Sequence, residues 1–380
     1  MTLSLGLARR RLLGASAVVA LAGLAHAAPA AADVTVGVAL GLTGPAAAYG
    51  EQAKHGIDAA VAVINRGGGA NGEKIRLETA DDACDPKQAV AVANRFASQG
   101  VKLVLGHLCS SATIAAADVY ADEGIVMITA SATNPAVTEK GHEMVFRACG
   151  RDDQQGAAAG QMLAERFKGK KIAVVDDKSA YGKGLAEQAE LAMKAKGVEP
   201  ALTSSVNAGE KDFSALITRL KQEGIDVVYY GGYHVELGLI VRQAREQGLE
   251  AQFVSGEATS AAEFWQITGP AGNGTLFTYA PEVKSQPGAA EAIKAIKEVA
   301  GPNADPDNFA FYYYAAVQIL AQAIEKAGSA EPEAVAEALH GTPSFATVVG
   351  PMAFDAKGDL KAPAYAFYEW RDGRYAPARL

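Results

Sequence analysis

The chain has 380 residues, 49% of them hydrophobic and 21% charged, with 43 acidic against 35 basic side chains and a formal net charge of −8. That length accommodates two domains with sizeable cores, and the acidic balance argues against a nucleic-acid partner or an anionic membrane surface. Three cysteines allow at most one internal disulfide and leave one sulfur over.

The first 32 residues read as an export leader. Arg9, Arg10 and Arg11 form a basic n-region, residues 12–24 a short apolar core, and Ala25-His26-Ala27 and Ala30-Ala31-Ala32 two small-residue cleavage sites. The apolar stretch is shorter than the ~20 residues of a membrane span. Cleavage before Asp33 would remove three arginines and no acidic residue, leaving 348 residues with a formal charge of −11. No other apolar run is long enough to cross a bilayer, so no direct membrane insertion is expected. Export makes a disulfide permissible.

In chain order, residues 34–40 predict a strand and 49–65 a helix stopped by Gly67-Gly68-Gly69. Residues 74–79 predict a strand and 86–98 a helix with Pro86 in its first turn. Residues 101–105, 112–123 and 125–129 continue as strand, helix, strand. After Gly150 the rhythm restarts. Helices over 152–167, 182–196, 213–222 and 236–247 alternate with strands over 171–176, 201–206, 226–230 and 252–255. Residues 276–279 form a strand, and the Pro281 region reads as a passage between two sheets. Helices over 287–299, 309–326 and 332–339 follow, with closing strands near 350–354 and 364–370. The alternation implies an α/β fold of βαβ units, with parallel sheets covered on both faces. No low-complexity linker interrupts it, which favours domains joined by several chain crossings.

Open parallel sheets bind ligands outside the carboxyl ends of their strands. The loops after strands are therefore the candidates: 41–50, 106–111, 130–135, 177–184, 231–234 and 256–260. Gly106-His107-Leu108-Cys109-Ser110-Ser111 ends a strand and opens a helix, presenting backbone N–H groups and hydroxyls at one point, a receptor for a carboxylate. Adjacent strand ends would bring Ser110 near Thr133. Each alone is an ordinary helix cap; together they can saturate a carboxylate. Glu257, after a strand of the second half, could take an ammonium group, although the usual place of a glutamate is the solvated surface. Tyr49, Tyr181 and Tyr233 sit in Gly-flanked loops and could wall a small, partly apolar ligand. Phe311-Tyr312-Tyr313-Tyr314 has the spacing of a helix in the core.

Signs of catalysis are few. There is no Gly-x-Ser-x-Gly elbow, no His-Glu-x-x-His and no P-loop. Cys109 could be an activated thiolate with His107 or His234 as its base, or it could pair with Cys84 in the loop 81–86. Cys149 reads as the spare sulfur, a buried thiol. A zinc site from Cys84, Cys109 and His107 lacks a close Cys-x-x-Cys pair, and Asp81, Asp82 and Asp85 lack the spacing of a calcium loop. The expectation is a binding protein rather than an enzyme, with no cofactor and no metal.

Several contiguous motifs carry a resemblance. Asp81-Asp82-Ala83-Cys84-Asp85-Pro86 with the helix to Asn94, the loop 106–111, Gly209-Glu210-Lys211-Asp212-Phe213-Ser214, Val227-Val228-Tyr229-Tyr230-Gly231-Gly232-Tyr233-His234, Gly350-Pro351 and Lys357-Gly358-Asp359-Leu360-Lys361 resemble the periplasmic leucine/isoleucine/valine-binding proteins of ABC transporters, over about residues 33–370. The resemblance implies a type I periplasmic binding protein: two doubly wound parallel-sheet lobes joined by a three-segment hinge, lobe 1 being 33–151 plus 281–362 and lobe 2 being 152–280 plus 363–380. It implies a monomer that captures a branched-chain amino acid and hands it to the membrane permease of an ABC importer. By position, Ser110 and Thr133 would bind the ligand carboxylate, and the Ser131 carbonyl and Glu257 its ammonium group. Leu108, Cys109, Tyr49, Tyr181, Tyr233 and Phe309 would line the side-chain pocket, and Cys84–Cys109 would be the family disulfide. Ser131 stands where some relatives have Ala, and residues 258–266 diverge from the pattern.

Overall fold

Burial on both faces is what makes parallel strands of the first apolar runs. In the computed structural model, which describes residues 1–2 and 33–380, Val34–Leu40 (β1) buries every residue but Thr35. Ala47–Arg66 (α1), Ile75–Asp81 (β2), Pro86–Ser98 (α2), Leu103–Gly106 (β3), Ser110–Asp122 (α3), Val126–Thr129 (β4) and Val145–Arg147 (β5) follow. β3 and β4 are buried throughout, as strands sandwiched between helices must be. The sheet order is β2-β1-β3-β4-β5, all parallel. The expected leader and its cleavage site lie outside the described residues.

A second sheet is built from Ile172–Asp176 (β6), Leu202–Ser205 (β7), Val227–Gly231 (β8), Gln252–Ser255 (β9) and Leu276–Tyr279 (β10). Its helices are Asp152–Arg166 (α4), Ala180–Ala195 (α5), Ser214–Glu223 (α6), His234–Glu246 (α7) and Ala262–Thr268 (α8). The chain then returns to the first sheet. Ala289–Ala300 (α9) and Asn308–Ala327 (α10) pack on α1, and Pro332–Gly341 (α11) packs on α10 and β4. α10 is apolar around most of its circumference because it is enclosed. It crosses α1 so closely that a Cβ on Gly56 would lie 2.0 Å from the Ala310 carbonyl oxygen.

Both closing strands form as expected, but neither joins the parallel pattern. Residues near 350–354 do not join a large sheet: Gly350–Met352 (β12) pairs only with Phe345–Thr347 (β11), as a separate hairpin. Ala366–Arg371 (β13) runs antiparallel to β10, and Arg374–Pro377 (β14) pairs with it as a further antiparallel edge. The second sheet, β14-β13-β10-β9-β8-β6-β7, is thus parallel only from β10 to β7. The chain passes between the sheets three times: after β5, after β10 and before β13.

Candidate functional site

The loop after β3 is shaped before any ligand is considered. Gly106 has φ +124°, and a Cβ there would lie 2.0 Å from the Ala39 carbonyl oxygen, so only glycine fits. Behind it His107 is fully buried, its Nδ1 2.5 Å from Asp82 Oδ2 and its Nε2 2.9 Å from the Tyr120 hydroxyl. The hydroxyls of Thr113 and Thr129 donate to the His107 carbonyl. Cys84 and Cys109 are bonded as a disulfide. With its ends 25 positions apart in sequence, closing this loop stabilises the fold by roughly 3 kcal/mol in the chain-entropy account. Cys109 is therefore not a thiolate, and the alternative of an activated nucleophile falls away. Cys149 is free and buried, and burial pushes its thiol well up from the usual range.

Four helices, α1, α3, α5 and α7, begin two residues earlier than the sequence implied, and three of the shifts bear on the site. Tyr49, Ser110 and Tyr181 occupy first turns of α1, α3 and α5 instead of loops. Ser110, whose hydroxyl accepts the Asn134 N–H at 3.3 Å, sits where the free N–H groups of α3 emerge. Ser131 donates its hydroxyl to the Leu108 carbonyl at 2.8 Å, tying the loop after β4 to the loop after β3. Thr133 Oγ1 is buried with no hydrogen-bond partner. Arg147, wholly buried, holds the loop from beneath by donating to the carbonyls of Ala132 and Asn134 (3.1 and 2.6 Å) while pairing with Asp359 at 2.6 Å.

From the second sheet come Tyr181, Tyr233 and Glu257. Glu257 opens a short 3-10 turn after β9 and is 7% exposed. The Gln155 amide donates to its Oε2 at 2.6 Å and also to Thr278. Burial raises its carboxyl to about 7, against that hydrogen bond. The Tyr49 hydroxyl reaches across to donate to the Ala258 carbonyl at 2.7 Å and meets His234 Nδ1. Burial lowers the His234 imidazole to about 4, so it is neutral. Since the hydroxyl proton goes to Ala258, Nδ1–H is the donor to Tyr49. The rings of Tyr49 and Phe309 (5.0 Å), Tyr49 and Tyr233 (6.2 Å) and Tyr181 and Tyr233 (5.2 Å) form one aromatic wall.

Two adjoining cavities lie among these groups and share Ser131, Glu257 and Phe309. One, of about 20 Å³, adds Tyr49, Leu108, Ser110, Tyr181 and Tyr233; the other, of about 40 Å³, adds Thr133, Cys149, Tyr312 and Tyr365. Every residue anticipated as ligand-binding lines one of them except Cys109, whose sulfur is committed to the disulfide. The spaces are the size of a few waters, so a larger molecule does not fit while the two sheets stay together. A larger groove of about 280 Å³ lies outside Tyr49, bordered by Glu51, Glu263, Glu282, Asp305 and Arg374. It is charged and holds none of Ser110, Thr133 and Glu257, so the smaller pair is the candidate site.

Sequence reasoning missed Gln155, Asp152 and the Arg147–Asp359 pair, and named His234 only as a possible base for Cys109. Asp152 and Gln155 look like ordinary first-turn residues of α4. Asp359 lay inside a quoted motif, yet nothing in the sequence marked its partner 212 positions away. Among the described residues no group of three His, Cys, Asp or Glu side chains could hold a metal ion, and no helix is long and apolar enough to cross a membrane.

Residues 33–374 match a family model described as periplasmic binding protein. The Leu/Ile/Val-binding protein homolog 1 of Brucella melitensis is 48% identical over 363 residues, covering 95% of this chain and 97% of that one. The leucine-, isoleucine-, valine-, threonine-, and alanine-binding protein of Pseudomonas aeruginosa is 44% identical over 362 residues, covering 95% and 96%. Among solved structures, a leucine binding protein from Thermotoga maritima superposes with a TM-score of 0.84 at 28% identity, covering 91% of this chain and 98% of that one. The branched-chain amino acid transporter substrate binding protein LivJ from Streptococcus pneumoniae, in complex with isoleucine, gives 0.82 at 27%, covering 90% and 97%.

Proposed function

The chain belongs to the periplasmic binding protein family, and on that premise we propose that it captures leucine, isoleucine or valine between its two lobes and delivers it to the permease of an ABC importer. It acts as a monomer in the periplasm, after removal of residues 1–32. Lobe 1 is 33–151 plus 281–362 and lobe 2 is 152–280 plus 363–380, joined by the three crossings. Support comes from the relatives, whose names specify these amino acids, and above all from one observation. Carboxylate donors with Tyr49 and Phe309 from one sheet, and an acid with Tyr181 and Tyr233 from the other, border the same cavities.

The roles follow from the chemistry of each group. Ser110 and Thr133, with N–H groups at the start of α3, hold the carboxylate. The Ser131 carbonyl and Glu257 take the ammonium group. Leu108 and the rings of Tyr49, Tyr181, Tyr233 and Phe309 enclose the aliphatic side chain, which contributes roughly 1.5–3 kcal/mol by burial. Cys109 serves by fixing the Ser110 loop through its bond to Cys84. No bond of the ligand is made or broken. In calorimetric titration leucine binds the wild-type protein with measurable heat, and Glu257→Ala, correctly folded by circular dichroism, loses that heat. Equal heats in the two proteins would refute the ammonium role.

A further inference from the structure

The loop that carries Cys84 and the loop that carries Ser110 are joined by more than their disulfide. Asp82 and His107 are both wholly buried. Each carboxyl oxygen of Asp82 has its own partner: Oδ1 accepts the Cys84 N–H at 2.8 Å, and Oδ2 lies 2.5 Å from His107 Nδ1. A carboxylate only accepts, so Nδ1–H is the donor of that bond. His107 Nε2 meets the Tyr120 hydroxyl at 2.9 Å, so both ring nitrogens are held. The backbone of Asp82 is tied as well. Its N–H donates to the Leu40 carbonyl at the end of β1, and its carbonyl accepts the N–H of Asp85, the cap of α2. Cys84 has φ +56°, a conformation that residues other than glycine seldom adopt, and the bond from its N–H to Asp82 steadies it there.

We propose that Asp82 is the positioning residue of the carboxylate-binding loop: it grips the Cys84 N–H with one oxygen and His107 with the other, and so sets where Ser110 and the first N–H groups of α3 stand. The inference rests on the binding role proposed above. His107 passes the constraint on. Its carbonyl accepts the hydroxyls of Thr113 in the first turn of α3, Thr129 at the end of β4 and Tyr313 of α10, at 3.1, 2.8 and 3.3 Å. Ser110 opens α3 three residues further on. The disulfide fixes a span between two side chains, Cys84 and Cys109. The bonds of Asp82 fix the orientation of the chain at both ends of that span. Without them the start of α3 can turn about the sulfur link, and a hydrogen bond weakens steeply as its donor turns out of line.

The test is a double-mutant cycle in leucine affinity, read by calorimetry on wild type, Asp82→Asn, Ser110→Ala and the double variant. Asp82→Asn keeps the shape of the side chain but has a single acceptor oxygen, so one of the two donors loses its partner. It is expected to weaken leucine binding roughly 10-fold in the wild-type background and about 3-fold or less in the Ser110→Ala background. The order of leucine, isoleucine and valine stays the same. A purely structural role carries the same factor into both backgrounds, so equal factors overturn the inference while leucine binding stands. Unchanged affinity in Asp82→Asn overturns it too. Tyr120→Phe, which frees the other imidazole nitrogen, is the milder variant and decides the matter if Asp82→Asn does not fold. A loss of roughly 3-fold confined to the wild-type background supports the inference, and an equal loss in both backgrounds, or none, overturns it. Absent leucine heat in wild type refutes the binding role itself, and the inference with it.

Discussion

Tyr49 joins the two halves through one hydroxyl, and its two hydrogen bonds exist only while the halves are together. Each such bond contributes about 0.5–1.5 kcal/mol. Tyr49→Phe keeps the ring against Phe309 and Tyr233 but loses both bonds, so leucine affinity is expected to fall roughly 5- to 150-fold, measured by calorimetry; unchanged affinity would show that the hydroxyl does not hold the closed state. Glu257 has a pH signature of its own. Its folded carboxyl titrates near 7 because it is buried, while in the unfolded chain it titrates near the ordinary value. Between roughly pH 4.5 and 7 the folded state therefore binds more protons than the unfolded one, and its contribution to stability declines as pH rises. Ligand-free wild type should lose more melting temperature between pH 5 and 7 than Glu257→Gln. Parallel curves would place the carboxyl in an ordinary environment.

At the scale of elements, the Arg147–Asp359 pair couples the third chain crossing to the loop that carries Ser131 and Thr133. Asp359 also accepts from Arg151 and Thr138, so it serves three partners on the segment between β4 and α4. Asp359→Ala leaves a buried guanidinium uncompensated and is expected to cost ~3–5 kcal/mol in chemical denaturation; a loss below 1 kcal/mol would show that the loop is held by other means. The alternation of strands and helices was legible in the sequence because β1, β3 and β4 are enclosed by helices and read as continuous apolar runs. The strand-end rule then located Ser110, Thr133, Tyr181, Tyr233 and Glu257 before any coordinates. β11, β14 and α8 were not legible, being three to seven residues long and set by pairing partners more than by their own pattern. Helix starts were misjudged because Ala47 and Ala180 give no apolar rhythm of their own. Arg147–Asp359 and Gln155–Glu257 join positions far apart in sequence, a distance that periodicity cannot bridge.

Across the whole molecule, two sheets joined by three crossings can part and close about a hinge. Cross-cleft bonds such as Asn134 to Ala180 and Tyr49 to Ala258 are few, so the closed arrangement gains most from a ligand that contacts both sides. Only a ligand with such differential contacts shifts the equilibrium toward closure. Micromolar affinity corresponds to about −8 kcal/mol. Charge-assisted hydrogen bonds at ~1.5–3 kcal/mol each, with side-chain burial, can supply that against the cost of immobilising ligand and lobes. Ser110→Ala should weaken binding without reordering leucine, isoleucine and valine, because it touches the end these ligands share; a changed order in competition titrations would place Ser110 against the side chain. The most direct measurement is a crystal structure of the protein grown with leucine. The account predicts the carboxylate on Ser110, Thr133 and the first turn of α3, with the ammonium on Glu257 and the Ser131 carbonyl. Leucine bound in the reverse orientation, or bound to one sheet alone with the lobes closed, would contradict it.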